Sequence, residues 1–297
     1  MTGIISVVTQ SLILSIMALG IYISYKILDF PDLSVDGSFS LGGAIIAFSL
    51  SHNISPILGT LLAIVCGLAA GLLTGILHLK LKISNLLSGI LVMGMLYSIN
   101  LGIMGQSNLP LFSFNHLFNS PISPIVLVIV LVVLCKLVLD VFLKTGLGYT
   151  LKAVGDNSQM VKSLGIDVDI IKILGLMLSN GLVAFSGSLF AQFQGFSDVT
   201  MGIGTLVLGI ASIIIGLSIF KKLTFIKPTT AIIVGTLIYQ FTIYLAINYG
   251  IASPNNLKLM TSIVIILFLS ISNLNVFATT HTKDVTSKKR GIVNVTN

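Results

Sequence analysis

Few side chains in this 297-residue chain can do chemistry. Its nine acidic residues are all Asp, it has four His and two Cys, and only 8% of it is charged. Some of those acids recur in a pattern. Phe30-Pro31-Asp32-Leu33-Ser34-Val35 and Phe196-Ser197-Asp198-Val199-Thr200-Met201 share the order Phe, any residue, Asp, apolar, hydroxyl, apolar. Glycine follows each copy, as Gly37 in the first and as Gly202 and Gly204 in the second. An Asp or hydroxyl ahead of a helix can accept from its free N–H groups. Glycine lets the backbone turn and lets neighbouring helices approach closely. Asp32, Asp36 and Asp198 are therefore candidates either to line a solute pathway or to cap the helices that form one. Ser34, Ser38, Gln192, Gln194, Thr200, Gly37 and Gly202 supply the hydroxyls, amides and small residues around them, a set suited to a small neutral or zwitterionic solute.

A second pair is Lys136 and Asp140, four apart and so on one helix face. The plain reading is a mutually satisfied pair with Lys136 snorkelling; the alternative is a functional intramembrane charge. The four His (His52, His78, His116, His281) are scattered without metal-ligand spacing, and Cys66 and Cys135 lie in apolar runs as small core residues. There is no phosphate loop and no Ser-His-Asp arrangement. Leu87-Ser88-Gly89 lies at the start of an apolar run and reads as helix packing. The chain is expected not to be an enzyme and to bind no metal or cofactor itself.

The elements that must position these residues follow from composition. Apolar residues make up 55% of the chain. A soluble fold of this size cannot cover that much apolar surface, so the reading is an all-α polytopic membrane protein. Runs near the roughly 20 residues that cross a bilayer fall at about 4–27, 37–51, 56–79, 85–105, 122–143, 171–194, 204–220, 226–247 and 258–277. That is about nine helices, and the short second and seventh each follow a glycine-containing polar stretch. The net charge of +7 is a topology signal, with no nucleic-acid partner implied. Lys26, Lys80, Lys82, Lys144, Lys152, Lys162, Lys172, Lys221, Lys222, Lys227 and the tail Lys283, Lys288, Lys289 and Arg290 all fall on one side of a nine-helix chain; Lys258 falls on the other. The N-terminus is then outside and the C-terminus inside. No signal peptide is read at the N-terminus.

The two motif copies are separated by five helices, which places them on opposite sides of the membrane, as in an inverted repeat. The expected organisation is one transmembrane domain over 1–277. Repeat one covers about 1–105, a linking helix about 122–143, a cytoplasmic loop 144–171 and repeat two about 171–277. A basic tail follows at 278–297. The outer loop 106–121 carries no recognisable pattern.

The cytoplasmic loop is long for a connector. Asp156 or Asn157 can cap a short helix over 156–165, with Gly155 as the preceding tight turn and Gly165 as the stop. Met160, Val161 and Leu164 would share one apolar face. That face could rest on the bilayer surface or dock in a groove of a soluble partner.

Gly148-Tyr149-Thr150-Leu151-Lys152-Ala153-Val154-Gly155-Asp156-Asn157, continuing through Ser163-Leu164-Gly165-Ile166, resembles the cytoplasmic loop of ABC importer permeases of the branched-chain amino acid and ribose group. Leu33 to Gly42 resembles another stretch of that family. Ala191 to Val199, Gly202-Ile203-Gly204 and Pro254 to Leu259 resemble a subgroup often assigned to tryptophan or tyrosine uptake. The resemblance covers about residues 10–275. It implies the permease subunit of an ATP-driven importer in a bacterial plasma (inner) membrane, working by alternating access, with ATP and Mg on a separate ATPase chain. It also implies an extracytoplasmic solute-binding protein and a permease homodimer. Gly148, Ala153, Val154, Gly155, Asp156, Asn157, Met160, Val161, Leu164 and Gly165 would then form the ATPase-coupling segment. The alternative from the repeat alone is an ion-coupled secondary transporter; its difficulty is the scarcity of ionisable residues within the apolar runs.

Overall fold

The computed structural model describes residues 2–119, 121–221, 223, 225–249 and the three positions 262, 263 and 266. The ninth apolar run at 258–277 therefore lies almost wholly outside the described residues, as do the 254–259 motif, Lys222 and the tail.

Among the described residues the fold is helical, with one small two-stranded sheet. Helix α1 (Thr2–Ile21) continues as a π-helical turn over Tyr22–Ile27. There follow α2 (Ser34–Ser51), α3 (Pro56–Leu79), α4 (Asn85–Met104) and strand β1 (Asn108–Pro110). Next come α5 (Pro124–Phe142), the two short helices α6 (Gly146–Asp156) and α7 (Ser158–Ser163), and the long α8 (Val168–Gln194). Strand β2 (Phe196–Asp198), α9 (Thr205–Ile219) and α10 (Pro228–Asn248) complete the described part.

Local sequence explains most boundaries. Ser55 and Ser84 accept from the backbone N–H three residues on, and Pro56 occupies the first turn of α3. Asp167 opens α8 in the same way, accepting from Asp169 and Ile170. Gly105 and Gly195 end α4 and α8 in the left-handed conformation, at φ 69° and 77°.

Among the described residues six helices are long and apolar enough to cross a membrane: α1 with its continuation, α3, α4, α5, α8 and α10. The chain is thus a polytopic helical membrane protein. The two runs expected to be short differ from these six for separate reasons. Helix α9 has only 15 residues. Helix α2 has 18, is rich in serine and glycine, and is buried along most of its length between α3, α4 and α8. A helix enclosed by protein need not be apolar all round, because it faces no lipid.

Helix α8 is the hub, packing on α1, α2 and α3, while α9 and α10 pair and reach the rest mainly through α1, with further contacts from α9 to α2 and from α10 to α5. Inside a bilayer such contacts rest on close packing, because lipid is as apolar as a leucine side chain. The α2–α8 crossing shows this: a Cβ on Gly42 would lie 1.9 Å from the Ala184 carbonyl oxygen, and one on Gly187 would lie 2.0 Å from that of Phe39.

The loop over 106–121, patternless in sequence, is structured. Strand β1 pairs antiparallel with β2, aligning Asn108 with Asp198 and Pro110 with Phe196. Leu111 N–H donates to Gly195 O at 2.7 Å, and Val199 N–H to Ser107 O at 3.0 Å.

Candidate functional site

The two sequence copies make the same turn. In the first, Asp32 Oδ1 accepts from the N–H of Ser34 at 2.9 Å; in the second, Asp198 Oδ1 accepts from the N–H of Thr200 at 2.7 Å. Each carboxylate thus closes the chain onto the hydroxyl residue two positions later. Their surroundings differ. Asp32 is fully buried, and its Oδ2 accepts from Asn180 Nδ2 at 2.8 Å. Asn180 Oδ1 accepts in turn from the hydroxyls of Ser34 and Ser38, at 3.2 and 2.6 Å. Asp198 is half-buried and also accepts from the Thr200 hydroxyl and from Asn108 Nδ2. Burial pushes the Asp198 pKa up, but the hydrogen bonds from Thr200 and Asn108 outweigh it and hold the carboxyl below its usual range.

The two interrupted segments meet through a third aspartate. Asp36, in the first turn of α2, accepts from the backbone N–H of Gly204 and of Leu206, each at 2.8 Å, and from the Thr205 hydroxyl at 2.9 Å. Helix α9 has no side-chain cap in its own N-cap residue, Gly204, which sits at φ 91°. Its free N–H groups and positive dipole end are satisfied by a carboxylate from the other half of the chain. Ser40 Oγ accepts from the Gly202 N–H at 3.0 Å. A Cβ on Gly202 would lie 1.9 Å from Asp36 O, so only glycine fits there. The Asp32 network lies well along the bundle: Asn180 is twelve residues along α8, about 18 Å from its start at 1.5 Å per residue.

Beside this junction opens a cavity of about 390 Å³, lined among others by Gln10, Phe39, Phe190, Gly204, Thr205 and Gln240. The Phe39 and Phe190 rings are 5.4 Å apart, tilted by 57°. Two amides, a hydroxyl and two aromatic rings suit a small solute with polar and aromatic parts. On the same segment Ile203 and Val207 are exposed, at 58% and 52%.

Of the residues expected from sequence to line a pathway or to cap its helices, several are buried. Asp32, Ser34, Gly37 and Ser38 are buried in helix contacts, with Gly37 under Leu96 and Met93. Gln192 is also buried: its Nε2 donates to Thr60 Oγ1 at 3.2 Å, and its Oε1 accepts from the Leu117 N–H at 3.1 Å, which pins the outer loop. Gln194 is half-buried and Thr200 exposed near β2. Asp36 and Gly202 form the junction itself. Gln10 and Gln240 carried no sequence signal, because each is an isolated amide in an apolar run. Gly204 was visible in the second motif copy.

On the loop 144–171 the local expectations need partial correction. Asn157 is the N-cap, accepting from Met160 N–H at 3.0 Å, and Gly165 stands at φ 80°. The segment before it is no flank, however. It is helix α6, opened by Thr145, whose Oγ1 accepts from the Gly148 N–H at 3.3 Å. Gly155 lies in the last turn of α6, where a Cβ would come 1.8 Å from Ile27 O; close approach, not a turn, requires glycine. Gly148 is likewise pressed on Phe142 O. Val161 is only 3% exposed and Val154 2%, both in the main core, so neither can offer surface to a partner. Met160 and Leu164 remain outward at 64% and 68%, joined by Tyr149 at 61% and Leu147 at 53%. Ala153, Asp156 and Asn157 are also exposed.

Lys136 and Asp140 pair at 2.8 Å, in keeping with the plain reading. Asp140 also binds Lys227 at 2.9 Å and the Thr229 hydroxyl at 2.6 Å. Those partners are about ninety residues away in the chain and had no local signal. Leu87-Ser88-Gly89 is helix packing: Ser88 is buried, and a Cβ on Gly89 would lie 2.7 Å from the Leu33 nitrogen.

A family model described as branched-chain amino acid transport system / permease component matches residues 3–269. A tyrosine transport system permease protein of Clostridioides difficile is 73% identical over 276 residues, covering 93% of each chain. An uncharacterised protein of Rickettsia prowazekii is 36% identical over 283 residues, covering 92% of this chain and 98% of that one. The autoinducer 2 import system permease protein LsrC of Yersinia enterocolitica is 30% identical over 193 residues, 62% of this chain and 52% of its own. No solved structure matches.

Proposed function

We infer the function from the premise that this chain belongs to the permease components of branched-chain amino acid transport systems, and so is the membrane-spanning permease of an ABC-type transporter. Its solute is proposed to be an aromatic amino acid, tyrosine first. The support is the 73% identical tyrosine transport permease together with a cavity that pairs aromatic rings with amides. The single observation that carries alternating access is the Asp36 cap on α9. It ties the interrupted segments of the two halves into one joint, so a relative tilt of the halves must act on the wall of the cavity beside it.

The rest of the assembly follows as part of the proposal. The chain has nine membrane helices in two inverted four-helix repeats joined by α5, with the N-terminus outside and the lysine-rich loops in the cytoplasm of a bacterium. A separate ATPase chain holds ATP and Mg and grips the α6–α7 surface through Met160, Leu164 and Tyr149. This chain hydrolyses nothing and needs no bound cofactor. A solute-binding protein delivers substrate to the outer face, over β1 and β2. Two copies meet across the exposed Ile203–Val207 face, which would enclose the cavity between them.

The test is uptake of labelled tyrosine into proteoliposomes holding the permease together with its partner ATPase and binding protein. Uptake is expected only with all three proteins and ATP. Uptake by the permease alone under an ion gradient would replace this reading with a secondary transporter.

A further inference from the structure

Four lysines converge where the C-terminal end of α5 meets the start of α10, and among the described residues only one carboxylate answers them. Lys136 and Lys227 both bind Asp140 Oδ2, at 2.8 and 2.9 Å. Asp140 Oδ1 is occupied by the Thr229 hydroxyl at 2.6 Å, so the carboxylate is already spent on this end of the fold. Lys144 and Lys152 stand at the same place. Lys152 Nζ donates to the Leu143 carbonyl at 3.1 Å and lies 5.4 Å from the centre of the Tyr149 ring. Among the described residues no carboxylate pairs with Lys144 or Lys152. Tyr22, Asp140, Lys144, Lys152, Lys227 and Thr229 line a pocket here of about 170 Å³.

The pocket opens beside an apolar face. Val133, Leu134, Leu137, Val138 and Val141 of α5 are 46–65% exposed, and α5 is a membrane-spanning helix by length and composition. Acyl chains therefore lie along that face. Unpaired cations at the rim of the hydrocarbon layer attract an anion, and basic pockets between helices on the cytoplasmic side hold anionic headgroups.

We propose that this pocket binds the phosphate group of an anionic phospholipid in the leaflet at the lysine-rich end. The phosphate sits among Lys144, Lys152 and Lys227, and the lipid chains follow α5. A free phosphate offers the same charge but nothing to lie along the apolar face, so the lipid is the occupant. Bound there, it bridges α5, α6 and α10.

The test uses the full-length permease in nanodiscs of phosphatidylcholine, with or without phosphatidylglycerol. Native mass spectrometry counts retained lipid and thermal unfolding reads its effect. The wild type should retain phosphatidylglycerol and melt higher when it is present. Lys144→Gln/Lys152→Gln leaves both Asp140 ion pairs intact; it should bind phosphatidylglycerol roughly thirtyfold more weakly, at about 1 kcal/mol for each lysine removed. It should also melt like the wild type in phosphatidylcholine alone. Lys144→Arg/Lys152→Arg should restore retention. Inorganic phosphate added to phosphatidylcholine nanodiscs should stabilise nothing. Equal phosphatidylglycerol retention by the wild type and the Gln variant would overturn the proposal. So would loss of retention in the Arg variant, or stabilisation by inorganic phosphate alone equal to that by the lipid.

Discussion

Replacing Leu164 by Asp separates the two roles open to the α6–α7 surface. Leu164 is 68% exposed, so its side chain contributes little to the permease's own packing. Full burial of a leucine is worth roughly 1.5–3 kcal/mol, so about two-thirds of that, ~1–2 kcal/mol, is available to a partner. The introduced carboxylate would have to lose water against an apolar groove, adding about 1–3 kcal/mol. The total, ~2–5 kcal/mol, weakens ATPase association about thirtyfold or more. The permease itself should melt as the wild type does. The contrast is Val161→Asp, three residues earlier, within α7, the short helix whose C-cap is Leu164. Val161 is 3% exposed within the main core, so that change should lower the melting temperature or abolish the folded protein. The assay is co-purification with the tagged ATPase, with thermal unfolding of each permease measured in parallel. A surface that merely rests on the bilayer predicts equal ATPase recovery for Leu164→Asp and wild type; that result would refute the docking argument.

Other substitutions follow from the same geometry. Asp36→Ala leaves the exposed Gly204 N–H and the buried Leu206 N–H without their carboxylate, at about 1–3 kcal/mol for the buried Leu206 donor. Asp36→Asn keeps one acceptor oxygen, so thermal unfolding should rank wild type, then Asn, then Ala, with tyrosine uptake falling in that order. Gly155→Ala should destabilise by at least about 1–3 kcal/mol, because its Cβ would meet Ile27 O at 1.8 Å; a melting curve unchanged from wild type would contradict the close packing of α6 on α1. Asn180→Leu removes the amide joining Asp32, Ser34 and Ser38 and strands a buried carboxylate, so expression of folded protein should drop sharply, as read by size-exclusion chromatography. Asn108→Ala removes only one bond to the half-buried Asp198, and its melting temperature should move by about 1 kcal/mol equivalent or less.

What the sequence determined was local or imposed by the solvent. A bilayer demands about 20 apolar residues per crossing, so the spans at 56–79, 85–104 and 124–142 are legible from hydropathy to within a few residues. Caps are legible for the same reason. Asn157, Ser55 and Asp167 bond N–H groups two or three residues away, a distance their own stretch of sequence contains. The Phe-x-Asp motif, too, encodes a local turn, and both copies make it. The tertiary structure decided which side each group faces and whom it meets. Met160, Val161 and Leu164 have equal claim to one apolar stripe in sequence. The docking of α6 on the end of α1, close enough that only glycine fits at 155, turns Val161 inward and leaves the other two outside. Asp36 caps a helix whose start lies 169 residues further on, and Asp140 takes a second lysine 87 residues away. No periodicity or spacing encodes such pairs, because a chain's local preferences carry no record of which distant segment folding brings alongside. The same holds for the outer loop, whose strand exists only because β2 lies beside it to take its hydrogen bonds.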